Sequence, residues 1–179
     1  MKAITTLMEE HQLILQVLSG FEYCINSSDT ETIKESLPDY VRFIREFADK
    51  IHHGKEEDIL FDEMGKSGFP VESGPISVML QEHQLGRACA AKLSEKCEKS
   101  EWDEEDLKEV SDAGSEYIAL LRQHIDKEDN ILYPMAQNSL PAESQELVNG
   151  RVESFESDKS NADKKNELTA IAKKLMKHD

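Results

Sequence analysis

The sequence predicts an all-α protein, and three observations carry that expectation. Glycine and proline are sparse, 8 and 5 residues in a chain of 179, while the charged residues and alanine that favour helices are plentiful. Apolar residues recur at alternating steps of three and four along four long segments, the spacing of one helix face. The block His52-His53-Gly54-Lys55-Glu56-Glu57-Asp58-Ile59-Leu60-Phe61 returns as His124-Ile125-Asp126-Lys127-Glu128-Asp129-Asn130-Ile131-Leu132-Tyr133. Each copy sets a histidine one helical turn ahead of a glutamate, so both side chains leave the same face.

The elements follow in order. Residues 3 to 25 carry Ile4, Leu7, His11, Ile14, Leu18, Phe21 and Ile25 as one apolar stripe with a histidine in its middle. Ser27-Ser28-Asp29 breaks it, and Ser28 with Glu31 is expected to form a capping box. Pro38 either starts the second helix or kinks a longer one. Beyond it, Val41, Ile44, Ala48, Ile51, Ile59 and Leu60 share a face with His52 and Glu56. Residues 65 to 75, with Gly65, Gly68, Pro70, Gly74 and Pro75, read as a loop. A third helix over 76 to 97 turns Met79, Leu80, His83, Ala90 and Leu93 inward. The acidic run Asp103-Glu104-Glu105-Asp106 suits a helix start. The fourth helix places Tyr117, Leu121, His124, Glu128, Ile131 and Met135 on one stripe and meets Pro134 near its end. After Pro141 two short helices are expected around Leu147, Val152 and Phe155, then Ile171, Leu175 and Met176, with a mobile polar link at 157–165.

A net charge of -16 argues against nucleic acid and against anionic membrane surfaces as partners. No apolar run approaches the ~20 residues that span a bilayer, and the first residues enter an amphipathic pattern without a secretory stretch. Three cysteines, Cys24, Cys89 and Cys97, form no CxxC pair, as expected of small buried residues in a reducing cytoplasm.

Four histidines, His11, His52, His83 and His124, sit one per predicted helix, each inside an apolar stripe. Burying four imidazoles with no shared partner would strand many polar nitrogens, so the set points to a metal. Imidazoles with carboxylates and no thiolate suit iron, manganese or zinc. Four histidines with Glu56 and Glu128 exceed the needs of one tetrahedral zinc and divide evenly over two metals. His178 near the C-terminus is read as inert.

These residues resemble the hemerythrin-like family of HHE cation-binding domains, of bacterial and archaeal type. The likeness rests on His11 in Glu9-Glu10-His11, the block His52 to Phe61, His83 in Gln81-Glu82-His83, and the block His124 to Pro134. It covers about residues 1–135 and implies an up-down-up-down four-helix bundle, assigned to 1–137, while the residue pattern makes 138–179 a helical tail packing on it. It implies two iron ions bridged by Glu56 and Glu128 and by an oxo or hydroxo group, His11 and His52 on one iron, His83 and His124 on the other. The chain departs from the oxygen carriers of the family, whose third helix gives two histidines one turn apart. Here His83 is followed at that distance by Arg87 and preceded by Met79, which leaves one iron a histidine short. The last motif is one residue shorter and ends in Glu128 instead of an aspartate. His53 either supplies the missing ligand or is a supporting histidine bonded to a carboxylate such as Glu57. Gly86 either leaves a void for a diatomic ligand or permits tight helix packing, and Tyr117 is a phenol near the metals or a core aromatic. Lys55 and Lys127 are read as solvated charges.

The first functional expectation is binding or sensing of O2 or a related small oxidant. The alternatives are turnover of hydrogen peroxide or nitric oxide in stress defence, and iron buffering or sensing through metal-dependent folding.

Overall fold

The computed structural model describes residues 1–27 and 29–176. Among them there is no strand, and the chain runs as six helical rods. The first is α1 (Lys2–Ile25). The second starts as α2 (Thr30–Phe43), passes through wider π-helical turns at Ile44–His53 and Glu56–Phe61, and ends as α3 (Asp62–Lys66). The third is α4 (Gly74–Cys97). The fourth, α5 (Glu104–Lys127), passes through a π-helical turn at Glu128–Leu132 into α6 (Tyr133–Ser139). Two more, α7 (Ala142–Ser157) and α8 (Lys159–Leu175), follow. The first four rods form a four-helix bundle in which α1 and α4 each pack on both long rods. No helix among the described residues is long and apolar enough to cross a membrane.

Local chemistry sets the helix ends. The expected capping role of Ser28 lies outside the described residues, as does His178. Asp29 caps α2, accepting from the N–H of Glu31 at 3.1 Å and of Thr32 at 3.4 Å. Pro38 therefore lies inside a helix already begun at Thr30. Asp103 and Asp106 form a reciprocal capping box at the start of α5. Gly68 and Gly74, at φ 95° and 71°, turn the loop that reverses the chain into α4.

The polar stretch 157–165, expected to be a mobile link, is helical from Lys159. Asp158 caps it by accepting from the N–H of Ser160 and Asn161. Lys165 then reaches back to Glu10 at 2.7 Å and Glu156 at 2.5 Å, which ties the rod down. The π-helical turn at Glu128–Leu132 also moves one expected core residue. It shifts the helix register, so Leu132 is buried while Ile131, expected inward, is 55% exposed.

The core falls into two apolar clusters. One holds Phe21, Tyr40, Phe43, Phe47, Leu93 and Tyr117, and the other Leu7, Leu60, Phe61, Met64, Met79 and Tyr133. Along every bundle rod the histidines and glutamates of the repeat lie between them.

Gly20 marks where α8 crosses α1. A Cβ there would stand 2.4 Å from the carbonyl oxygen of Leu175 and 3.2 Å from Oη of Tyr40, which itself donates to that carbonyl at 3.1 Å. Backbone cannot yield as a side chain does, so Gly20→Ala is expected to destabilise the fold by about 1–3 kcal/mol. The check is thermal unfolding together with proteolysis, which should cut first between α7 and α8. An unchanged melt would show that α8 does not pack as described.

Candidate metal centre

Among the described residues eleven polar or charged side chains are buried, and seven of them meet in the layer between the two apolar clusters: His11, His52, His53, Glu56, His83, His124 and Glu128. Two groupings have one ligand atom per residue within 4.8 Å of all the others. One is His11, His52, Glu56 and Glu128, and the other is His53, Glu56, His83 and His124. Glu56 belongs to both. Its Oε2 lies 3.7 Å from Nε2 of His52 and 3.5 Å from Nε2 of His83. Glu128 belongs to the first alone, and its Oε2 lies 3.2 Å from Nε2 of both His11 and His124.

The outer nitrogens of four histidines are held by carboxylates. Nδ1 of His11 donates to Asp129 at 2.7 Å, that of His52 to Glu10 at 2.9 Å, that of His83 to Glu57 at 2.6 Å and that of His124 to Glu82 at 3.0 Å. A carboxylate only accepts, so each Nδ1 carries a proton and Nε2 is the atom turned inward, free to offer a lone pair once any proton on it is lost. The Nε2 atoms of His83 and His124 then face each other at 3.1 Å. Two lone pairs at that distance repel unless a proton or a cation lies between them.

The inner atoms are short of partners. Among the described residues, Nε2 of His52, both nitrogens of His53, Oε2 of Glu56 and both oxygens of Glu128 are buried without a hydrogen bond. The close approaches to Glu56 and Glu128 given above lack hydrogen-bond geometry, so they do not satisfy these atoms. Uncompensated buried polar groups cost free energy, and nitrogen and carboxylate donors converging without protons are what a divalent cation needs. The residues present fit such an ion.

A family model for the hemerythrin HHE cation-binding domain matches residues 2–136. The chain belongs to that family. Membership implies a metal-binding site of the iron type, and the two histidine and glutamate groupings fit one. No curated protein and no solved structure is matched by the chain.

Arg87 does not enter the layer. It donates to Asp49 at 2.8 Å and to Glu57 at 2.7 Å, and so steadies the carboxylate that holds His83. His53 lies in the grouping that would otherwise be a histidine short, its ring stacked on His83 with centroids 3.8 Å apart. Its nearest carboxylate is Asp49, 3.6 Å from Nδ1. Glu57, the partner expected for a supporting role, serves His83 and Arg87 instead.

Lys55 and Lys127 also depart from the reading as solvated charges. Lys55 is fully buried, bonded to Glu10 and, at 2.5 Å, to Glu156 of α7. Lys127 is half-buried against Glu82. The supporting residues Glu10, Glu82, Glu57 and Asp129 were legible in principle. The offset that takes His52 to His124 also takes Glu10-His11 to Glu82-His83 and Glu57 to Asp129. Gly86 and Tyr117 line a pocket of about 410 Å³ that reaches His53 and His83. Both are also packed, since a Cβ on Gly86 would touch the Tyr117 ring at 3.5 Å.

Electrostatics sort the layer. Burial alone would lower the pKa of His11, but Asp129 and Glu128 raise it to about 9. His124 is likewise raised against burial, by Glu128 and Glu82, to about 10. Burial and the neighbouring His83 hold His53 well below the ordinary histidine value, so it stays neutral. Burial opposes the charge on Glu56, but His52 and His83 hold it ionised.

Without metal, protons on His11 and His124 offset the carboxylate charge. Their folded pKa values exceed the unfolded value, so this stabilisation is complete below about pH 6.5 and is lost as pH rises through 9 to 10. Metal must displace those protons. The melting temperature of metal-free protein is therefore expected to fall between pH 7 and 10, while metal affinity rises over the same range. Calorimetric titration in buffers of different ionisation enthalpy should show proton release. Metal uptake without proton release would contradict the assignment.

Proposed function

We propose that the chain carries two iron ions, one in each grouping, and binds or senses dioxygen or a related small oxidant. His11 and His52 would hold one ion, His53, His83 and His124 the other, and Glu56 and Glu128 would span both. The observation that carries this reading is the set of buried nitrogen and oxygen atoms that converge without hydrogen bonds. When bound, two ferrous ions supply one electron each to an oxidant.

The protein's own contribution is binding, orientation and exclusion of water. The carboxylates behind His11, His52, His83 and His124 fix each ring with Nε2 inward. Phe61 stacks on His83 with centroids 6.1 Å apart, and Tyr133 on His11 at 5.4 Å, so buried aromatic rings wall one edge of the site. The pocket reaches the site at His53 and His83, and neither His11 nor His52 lines it. A reducing, cytoplasmic setting is consistent with Cys24, Cys89 and Cys97 being free.

The same pocket would also admit peroxide, whose turnover is the second reading. Iron-loaded protein reduced without air and then exposed to O2 should develop visible absorption, reversibly if O2 is carried or sensed. No optical change would overturn the proposal, and sustained consumption of peroxide over many turnovers would favour the second reading. Ala91→Trp, at the pocket wall, should slow the optical change while leaving the iron content unaltered. An unaltered rate would mean that the oxidant enters elsewhere.

A further inference from the structure

The internal repeat is nearly a twofold axis through the site, and the two pairs of buried residues at which the ten-residue blocks differ are informative. His53 is answered by Ile125, and Phe61 by Tyr133. The aromatic pair is otherwise equivalent. Tyr133 lies parallel to His11 within 7°, Phe61 parallel to His83 within 16°, and both aromatic rings are buried. The difference is one hydroxyl. Oη of Tyr133 donates to Oε1 of Glu56 at 2.5 Å and lies 3.4 Å from Nε2 of His11. Phe61 has nothing to donate, and both oxygens of Glu128 lack a hydrogen bond.

We propose that Tyr133 is a positioning residue: its phenol withholds Oε1 of Glu56 from the metals, leaving that carboxylate one free oxygen where Glu128 has two. The two spanning glutamates are thus unequal ligands by construction. Glu56 is tethered on the Tyr133 side and presents Oε2 alone, whereas neither oxygen of Glu128 is held by a hydrogen bond. This inference rests on the metal reading above.

The direction of the effect separates this role from a merely structural one. A group that only orients a ligand weakens metal binding when removed, commonly by about 10- to 100-fold. A group that withholds an oxygen strengthens it. Cobalt(II) titration of the full chain, followed by visible absorption, should show Tyr133→Phe binding about tenfold more tightly than wild type with the same number of ions per chain. Phe61→Tyr, which brings a hydroxyl toward Glu128, should bind more weakly, and the double exchange should return toward wild type. Unchanged or weaker binding by Tyr133→Phe overturns the proposal.

A metal-free measurement keeps the two ideas separate. The phenol proton held by Glu56 should give a slowly exchanging downfield proton resonance in metal-free wild type, lost in Tyr133→Phe. If none of the proteins takes up cobalt, the metal reading falls and this resonance decides whether the phenol holds Glu56. Its absence overturns the inference.

Discussion

A layer of ionisable side chains cuts the hydrophobic core in two, and the rest of the molecule is arranged around the cost of keeping it there. Removing one carboxylate from water costs on the order of several kcal/mol unless opposite charge and hydrogen bonds replace its hydration. Here two carboxylates and five imidazoles are buried together. The apolar clusters above and below supply the stability that permits such a layer. Four of the five rings are fixed from outside by a carboxylate, and several of these carboxylates are fixed in turn by Lys55, Lys127, Arg87 or Lys165. Charge alternates outward from the centre to the surface.

The pairs follow the repeat in a regular way, two within a repeat and two across. The glutamate before the histidine of α1 supports the second rod's histidine, Glu10 to His52, and α4 repeats this as Glu82 to His124. The acid after each spanning glutamate supports the remaining histidines, Asp129 to His11 and Glu57 to His83. The tail breaks the equivalence. Glu156 and Lys165 bury the Glu10–Lys55 pair, while Glu82–Lys127 stays partly open. The half of the site lined by His11 and His52 is thereby enclosed, and the half lined by His53 and His83 faces the pocket.

Much of this was legible in the residues. Helical periodicity located the four long rods, because an amphipathic stripe is imposed by burial on one face. The repeated histidine-to-glutamate turn marked the residues that the fold brings together. What escaped the reading has physical causes. A π-helical turn leaves no simple compositional mark, so the outward shift of Ile131 could not be foreseen from a regular period. Lys55 looked solvated because its burial depends on Glu10 and on Glu156 from a distant rod, partners that only tertiary structure supplies. Tyr117 drew notice for its phenol, yet the hydroxyl beside the glutamates is that of Tyr133. It comes from the last residue of the repeated block, where a likeness in shape to Phe61 concealed a difference in hydrogen bonding.

The most direct test of a two-ion centre is anomalous diffraction from crystals of the iron-loaded protein at the iron edge. Two peaks per chain are predicted, one among His11, His52, Glu56 and Glu128 and the other among His53, Glu56, His83 and His124, and His53→Ala should weaken the second peak selectively. A single peak, or iron outside this layer, would contradict the account.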